Sequence, residues 1–473
     1  MIETVRKNYK GFTKEQIRKA TEARHALAMM AHPRDDKLKH VVSNTNVITN
    51  CNFTSSDLTN ALTLFSPDRG TLRGKTVRQR PDKVRPEYVS IPRSLFERIQ
   101  NVTLAADVMF VNGLPFIVTI SRAIKLITVE YLPSRTAEML CDKLRKINKL
   151  YQCGGYNIRT SLMDMEFEPL VDKLTEMNVN TTAAREHVGD NERAIHTIKE
   201  CCRCVISDLP YNKCMPDPFI IHLIYFVVMW INAFPADNGV STHFLPREII
   251  TGLKLDYKKH CKALWGSYVE ASDDNEVTNT MRARTSPCIV LGPTGNIQGS
   301  VKCYNLDTQQ IIKRRTVTPL PMPDRIIKLI TRLGKKSKQS RTTDKLTFLN
   351  RHKAKFDWDN EELDDMDGLV DNTPRDSDDL LAELPGMTLE SDYDNNNAIQ
   401  QPVESDLNIV EAAAANANLV MPVSADEITG VDYEEPAIFS DEYDSDDGPD
   451  DDEVEFLQEN APPHNPPDDP VDA

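Results

Sequence analysis

Short apolar runs between residues 100 and 210 alternate with turn residues and with longer stretches of helical period. Leu104–Val111 and Leu114–Ser121 are two such runs, and Asn112-Gly113 between them is a strong two-residue hairpin signal. A third strand is predicted at Ile124–Tyr131. A helix then starts at Ser134-Arg-Thr-Ala-Glu and runs through about Leu150. Gly154-Gly155 breaks the chain before a strand near Ile158–Met163, and a second helix opens around Asn191-Glu192 and ends before Pro210.

The flanking pattern differs. Thr13 followed by Gln16 reads as a capping box for a helix that stops before Pro33, and a second helical stretch is expected from Ser55 to Phe65. Arg69 to Arg85 holds seven Lys or Arg and reads as a basic linker. Residues 216 to 255 look helical. Their apolar stretch, Phe219 to Phe234, includes His222 and Asn232 and falls short of the roughly 20 residues a membrane span needs, so a buried helix is expected. From Leu264 to Pro319, β-rich runs alternate with turns at Pro293-Thr-Gly-Asn and Asn305-Leu-Asp, which predicts a small barrel.

Three antiparallel strands, then helix, strand and helix, is the order of an RNase-H-like sheet. The expected fold class is therefore α/β: an RNase-H-like core (a mixed five-stranded sheet with flanking helices) with a small helical N-terminal region and a small β-barrel C-terminal region. A long acidic tail, expected to be disordered, completes the chain.

Charge sharpens this picture. The net charge of -16 conceals two opposite regions. From Phe356 to Ala473 there are 37 Asp and Glu against one basic residue, Arg375, giving -36; the remainder has 55 Lys and Arg against 35 Asp and Glu, giving +20. A basic body with an acidic tail suits a nucleic-acid partner, because the body attracts phosphate while the tail repels it or covers the site. The N-terminus has no apolar core of the secretory kind, and the ten cysteines are scattered, so reduced thiols and a nuclear or cytoplasmic, non-membrane location are expected.

Three carboxylates carry the chemistry. Asp107 lies late in the first apolar run, Asp164 ends the fourth, and Glu192 opens a helix. Two strand-borne acids and one helix-borne acid can converge at one end of a sheet. Such a cluster can hold two divalent metals and cut or join phosphodiesters. Taken singly, each acid is an ordinary solvated carboxylate; the order of the three is what points to a site. Glu166 and Glu186 are the alternatives if the register is wrong. Glu192, His196 and Lys199 fall at i, i+4 and i+7, on one helix face, with Arg193 and Arg203 nearby.

Several stretches carry a family resemblance. They are Met163-Asp-Met-Glu-Phe-Glu-Pro-Leu, Glu186-His-Val-Gly-Asp-Asn-Glu-Arg with Thr197-Ile-Lys-Glu, and Phe234-Pro-Ala-Asp-Asn-Gly-Val-Ser, flanked by Leu72-Arg-Gly-Lys-Thr-Val-Arg and Thr316-Val-Thr-Pro-Leu-Pro-Met-Pro. In this order, residues of about 12 to 325 resemble the integrase region of copia-type retrotransposon polyproteins, most of all the copia-like elements of diatoms and related algae. The resemblance implies a DDE transferase with Asp107, Asp164 and Glu192 as catalytic and metal-binding residues and Mg²⁺ or Mn²⁺ as cofactor. It also implies DNA as partner (element ends and target), self-association, and 3′-processing with strand transfer as the reaction.

The resemblance implies a division of the chain. Residues 1–80 would be a degenerate pre-integrase zinc region, 95–212 the catalytic core and 213–260 a helical extension. Residues 261–322 would be the small DNA-binding barrel, 323–355 a basic linker and 356–473 the acidic tail. Lys199 and Arg193 would contact DNA beside the core, and Lys313, Arg314 and Arg315, with Lys302, would meet phosphates on the barrel. His25, His32 and Cys51 match part of the family's zinc ligands. Thr54 stands where the fourth would be, so weak or absent Zn²⁺ binding is expected. Met165 stands where the family usually has glycine, and 28 positions separate Asp164 from Glu192, shorter than in integrases at large.

Other features are read plainly. Cys201, Cys202 and Cys204 are small helix residues, since no matching Cys/His pair follows them at zinc spacing. Lys335, Lys336, Lys338 and Arg341 form a short basic run that suits nuclear import or phosphate contact. Leu380-Leu-Ala-Glu-Leu and Glu453-Val-Glu-Phe-Leu are acidic-hydrophobic clusters of the kind that dock on protein partners. The chain reads as an isolated piece of a polyprotein. Two functional readings stand: an active integrase, or a decayed or captured copy that binds nucleic acid without catalysis.

Overall fold

A computed structural model of the chain describes residues 2–43, 48, 50–77, 87–163, 165–181, 189–211, 214–273, 280–337 and 346–349. All of these fall in one unit, Met1–Ala425. Asp164, Glu186, Arg78 to Arg85, Lys338, Arg341 and the acidic stretch from Phe356 lie outside the described residues, as does the side chain of Glu166.

The N-terminal elements are α1 (Val5–Asn8), α2 (Lys14–Met29), α3 (Asp35–Ser43), α4 (Ser55–Phe65) and α5 (Arg69–Lys75). Helix α2 opens with the expected capping box, Thr13 with Gln16. Helix α4 has a second one, in which Thr54 accepts from the Asp57 N–H and the Asp57 carboxylate accepts from the Thr54 N–H at 2.8 Å. Alanines of α2 let α4 approach closely; Ala20, Ala23, Ala26, Leu58, Ala61 and Leu64 are all buried.

The first part of the basic linker is helical instead. Asp68 caps α5, and Arg69 and Arg73 reach the fully buried Glu270, with Arg69 Nε 2.8 Å from Oε1. A buried carboxylate needs such cations, so these charges stabilise the fold and do not serve phosphate.

After α6 (Arg93–Ile99) come β1 (Asn101–Val111), β2 (Leu114–Ser121), β3 (Ile127–Tyr131), α7 (Ala137–Cys153), β4 (Asn157–Met163), a 3₁₀ turn at Met165–Leu170, β5 (Asn178–Thr181) and α8 (Gly189–Ser207). The Asn112-Gly113 turn has φ of 53° and 88°, as the sequence requires. Strand β3 begins three residues later than expected, because Lys125 turns at φ 60°. The strands lie in the order β3-β2-β1-β4-β5, with β2 antiparallel to both neighbours and β4 and β5 parallel to β1. This is the mixed RNase-H-like sheet. Helix α7 covers one face through Leu140, Leu144 and Ile147; α8 and the next helix cover the other.

That next helix, α9 (Asp217–Ile231), is buried along most of its length, as expected. Among the described residues, no helix is long and apolar enough to cross a membrane. The Tyr225 hydroxyl accepts from the Tyr131 N–H at 2.9 Å. The Asn232 amide bonds both backbone groups of Ile127, at 2.8 and 2.7 Å, which satisfies the outer edge of β3. The other side of α9 meets the second sheet, where Phe219 packs edge-on against Trp265 and Tyr304.

Short helices α10 (Pro246–Thr251) and α11 (Tyr257–His260) lead to β6 (Tyr268–Ser272), β7 (Thr285–Pro293), β8 (Val301–Asn305), β9 (Ile311–Arg314) and β10 (Val317–Pro319). These form the antiparallel five-stranded small-barrel sheet, in the order β10-β6-β7-β8-β9. Residues 324–336, read as basic linker, form helix α12 (Asp324–Lys336), with Ile326, Ile330 and Gly334 buried at helical spacing. A last short strand, β11 (Phe348–Leu349), returns to the first sheet and pairs antiparallel with the end of β1.

Candidate active site

Alternation along β1 decides which way Asp107 faces. Leu104, Ala106, Val108 and Phe110 belong to the cluster on the α7 side, whereas Ala105, Met109 and Val111 share a cluster with Ala194, Ile195 and Ile198 of α8. Asp107 is in phase with Ala105 and Met109, so it lies on the α8 face, partly buried. Its Oδ1 accepts from the Val108 N–H at 2.7 Å.

Parallel pairing of β1 with β4 ends at Ala106↔Met163. Asp107 is the next residue on β1; β4 ends at Met163, and Asp164, which follows it in the sequence, lies outside the described residues.

Helix α8 is fastened to the sheet by the two residues before Glu192. Asn191 is buried to 1 % exposure. In the amide orientation that satisfies both ends, its nitrogen donates to the Ala105 carbonyl at 3.3 Å and its oxygen accepts from the Ala106 N–H at 3.1 Å. Asp190 receives Arg122 Nε at 2.9 Å and Lys125 Nζ at 3.2 Å, from the turn between β2 and β3. Burial pushes the Asp190 carboxyl up, but the hydrogen bond from Arg122 and the Lys125 charge outweigh it and hold its pKa below the usual carboxylate value. Glu192 follows directly, half-buried. One side chain, Asn191, thus joins the neighbour of Glu192 to the neighbours of Asp107.

In the sequence, Asn191 is one letter of the Glu186–Arg193 motif and nothing singles out Asp190. The available signal was the polar run Gly189-Asp-Asn-Glu at a helix start. Such a run normally reads as solvated, and only the burial of Asn191 distinguishes it.

Farther along α8, Arg193 is exposed and Lys199 half-buried, while His196 Nδ1 lies 3.7 Å from Glu200. Cys202 is buried, Cys201 half-buried and Cys204 exposed, and all three are free thiols.

The barrel residues have different fates. Lys313 is exposed, Arg314 is paired with Asp273 at 2.9 Å, and the Arg315 carbonyl accepts from Lys262 Nζ at 2.9 Å. Lys302 sits inward, 4 % exposed, so it cannot meet a phosphate. Burial, and then Lys313, push its ammonium pKa down to about 7, with Glu130 opposing.

His32 Nδ1 lies 2.8 Å from Asp68 Oδ2, in an electrostatic contact shared with Arg24 at 3.8 Å. His25 is exposed and Cys51 half-buried, and Thr54 is committed to capping α4. Among the described residues, no group of three or more His, Cys, Asp or Glu is arranged to hold a metal ion; the described part of the acid trio supplies two carboxylates.

No family model matches the sequence. No curated protein matches it. Among solved structures, the chain is similar to the catalytic core domain of BIV integrase, at 15 % identity and a TM-score of 0.24, over 31 % of this chain and 92 % of that one.

Proposed function

We propose that this protein binds DNA and carries out metal-dependent polynucleotidyl transfer, 3′-processing and strand transfer, as an integrase-like protein of the copia type. The observation that supports this best is the buried Asn191 bridge. It fixes the start of α8, and with it Glu192, against β1 beside Asp107. Asp164 enters the reading as the residue after Met163, whose register partner immediately precedes Asp107.

The donor chemistry of the two described acids fits a hard divalent cation. Carboxylate oxygens suit Mg²⁺ or Mn²⁺, and neither histidine nor thiol competes among them. When bound, such ions make a water or a DNA 3′-hydroxyl nucleophilic and stabilise the leaving oxygen. Asp107 and Glu192 then hold negative charge at fixed points, and Asn191 and Asp190 keep the helix start from shifting. Arg193, Lys199 and Lys313 offer cations for the DNA backbone, a sequence-independent and salt-sensitive attraction.

The test is Mn²⁺- and Mg²⁺-dependent joining of a labelled DNA end by the full chain, alongside Asp107→Asn, Asp164→Asn and Glu192→Gln. Joining that falls to background in all three variants, with folding and DNA binding kept, supports the reading. Joining that survives in them removes these acids from the chemistry. If neither parent nor variants join DNA but salt-sensitive binding is intact, a decayed DNA-binding copy becomes the better description.

A further inference from the structure

We propose that the cavity between β3, α7, α9 and α10 is a binding site for a short aliphatic carboxylate, with Arg247 as the group that holds its charge. The site is built from residues apart from the acids of β1 and α8, and it stands whether or not the chain joins DNA.

Size and lining come first. The cavity has a volume of about 50 Å³, and one water needs about 10–15 Å³, so a ligand of a few heavy atoms fits. Ile147, Leu150, Val228 and Met229 give it an apolar wall. The polar groups contributed by β3 and the end of α9 are already engaged. The Asn232 amide bonds both backbone groups of Ile127, the Tyr225 hydroxyl accepts from the Tyr131 N–H, and the Thr128 hydroxyl lies 2.6 Å from that of Thr119. Glu130 and Lys146, which also line the cavity, pair with each other at 3.2 Å.

Arg247 is the exception. It is 3 % exposed. Its Nη2 donates to the Gly295 carbonyl at 2.8 Å, and its Nε is buried without an acceptor among the described residues. Burial pushes its pKa down to about 10, and no neighbouring carboxylate offsets that shift. The guanidinium is still charged at neutral pH. A buried cation without a counter-charge is strongly destabilising, and an unmet buried N–H adds to the cost. A carboxylate seated in the cavity supplies the missing charge and the missing acceptor together.

The same lining selects among anions. One unmatched cation calls for a monoanion, because a dianion such as sulfate would bring uncompensated charge against an apolar wall. A neutral ligand can satisfy Nε but leaves the charge unmet. The four apolar side chains favour carbon behind the carboxylate. Lys146 and Thr128 are the half-buried residues of a lining that is otherwise buried, which makes their end the entrance. Lys146 attracts an incoming anion there, and Arg247 receives it at the closed end.

The experiment is calorimetric titration of the full chain with propionate, in a sodium chloride background that fixes the ionic strength. Propionamide has the same shape without the charge, and sulfate has charge without the carbon. We expect saturable binding of propionate, tighter than that of either comparison ligand by about tenfold or more. Arg247→Met should abolish it without unfolding the chain, because an apolar residue of similar length removes a buried charge. Should that variant fail to fold, Val228→Leu decides: it narrows the cavity from α9, leaves Arg247 in place, and should also weaken binding. Lys258→Gln, exposed elsewhere, should leave the affinity unchanged. A parent chain that does not bind propionate overturns the proposal. So does affinity that is undiminished in a folded Arg247→Met or Val228→Leu, and so does propionamide or sulfate binding as tightly as propionate.

Discussion

Asn191 carries more of the candidate site than its position in a polar run suggests. It makes two hydrogen bonds to β1 from a fully buried position, and cutting it back strands a backbone donor and acceptor. Asn191→Ala should cost about 1–3 kcal/mol, read from urea unfolding, and should reduce DNA joining although the acids themselves are untouched. A variant as stable as the parent would show that α8 does not depend on this bridge. Asp190 makes a pH prediction. Its folded pKa lies below the ordinary 3.8, so its contribution is fully present above about pH 4 and is lost as pH falls through the folded value. The stability gap between parent and Asp190→Asn should therefore be constant near neutrality and close in acid. Lys302 behaves oppositely. Its folded pKa of about 7 lies below the ordinary 10.5, so between these values only the unfolded chain holds the proton, and stability rises with pH. Lys302→Met should stabilise by about 1–4 kcal/mol near and below pH 7, an advantage that vanishes toward pH 10.5. A pH-independent difference would place the lysine's cost in packing instead of charge.

At the scale of elements, α9 joins the two sheets. Its Tyr225 and its C-cap Asn232 bond the edge of β3, while Phe219 packs against Trp265 and Tyr304 of the barrel. Phe219→Ala should cost about 3–5 kcal/mol, and probes in the core sheet and in the barrel should lose structure in one coincident transition. Two separated transitions would show that the sheets are independent. The apolar stretch of α9 was legible because burial on all sides leaves a continuous run. The hairpin was legible because Asn112 and Gly113 both take positive φ, which few residues tolerate. Strand β5 was not: Asn-Val-Asn-Thr has no apolar alternation, and it is a strand because β4 offers it a backbone edge. Helix α12 was hidden by its charges, although Ile326, Ile330 and Leu333 fall at helical spacing. For the site, position along the chain revealed Asp107 and Glu192 as strand and helix acids, but not the buried amide between their neighbours. No pattern of apolar period marks a polar residue that bonds a distant backbone.

Across the whole molecule charge is uneven, +20 over residues 1–355 and -36 over residues 356–473, and salt is the most direct probe of the proposed DNA binding. Each phosphate that a cation neutralises releases condensed counterions, so log affinity falls with log salt at about 0.9 per contact. Arg193 and Lys313 are both exposed, one on α8 beside the candidate site and one on the second sheet. If both meet the DNA backbone, Arg193→Gln and Lys313→Gln should each weaken binding of a labelled duplex and lower the salt slope by about one, without changing which sequence is preferred. The double variant should lower the slope by about two, because separate phosphate contacts release their counterions independently. A slope unchanged in Lys313→Gln but lowered in Arg193→Gln would confine DNA to the first sheet, and slopes unchanged in both would remove these two cations from the interface.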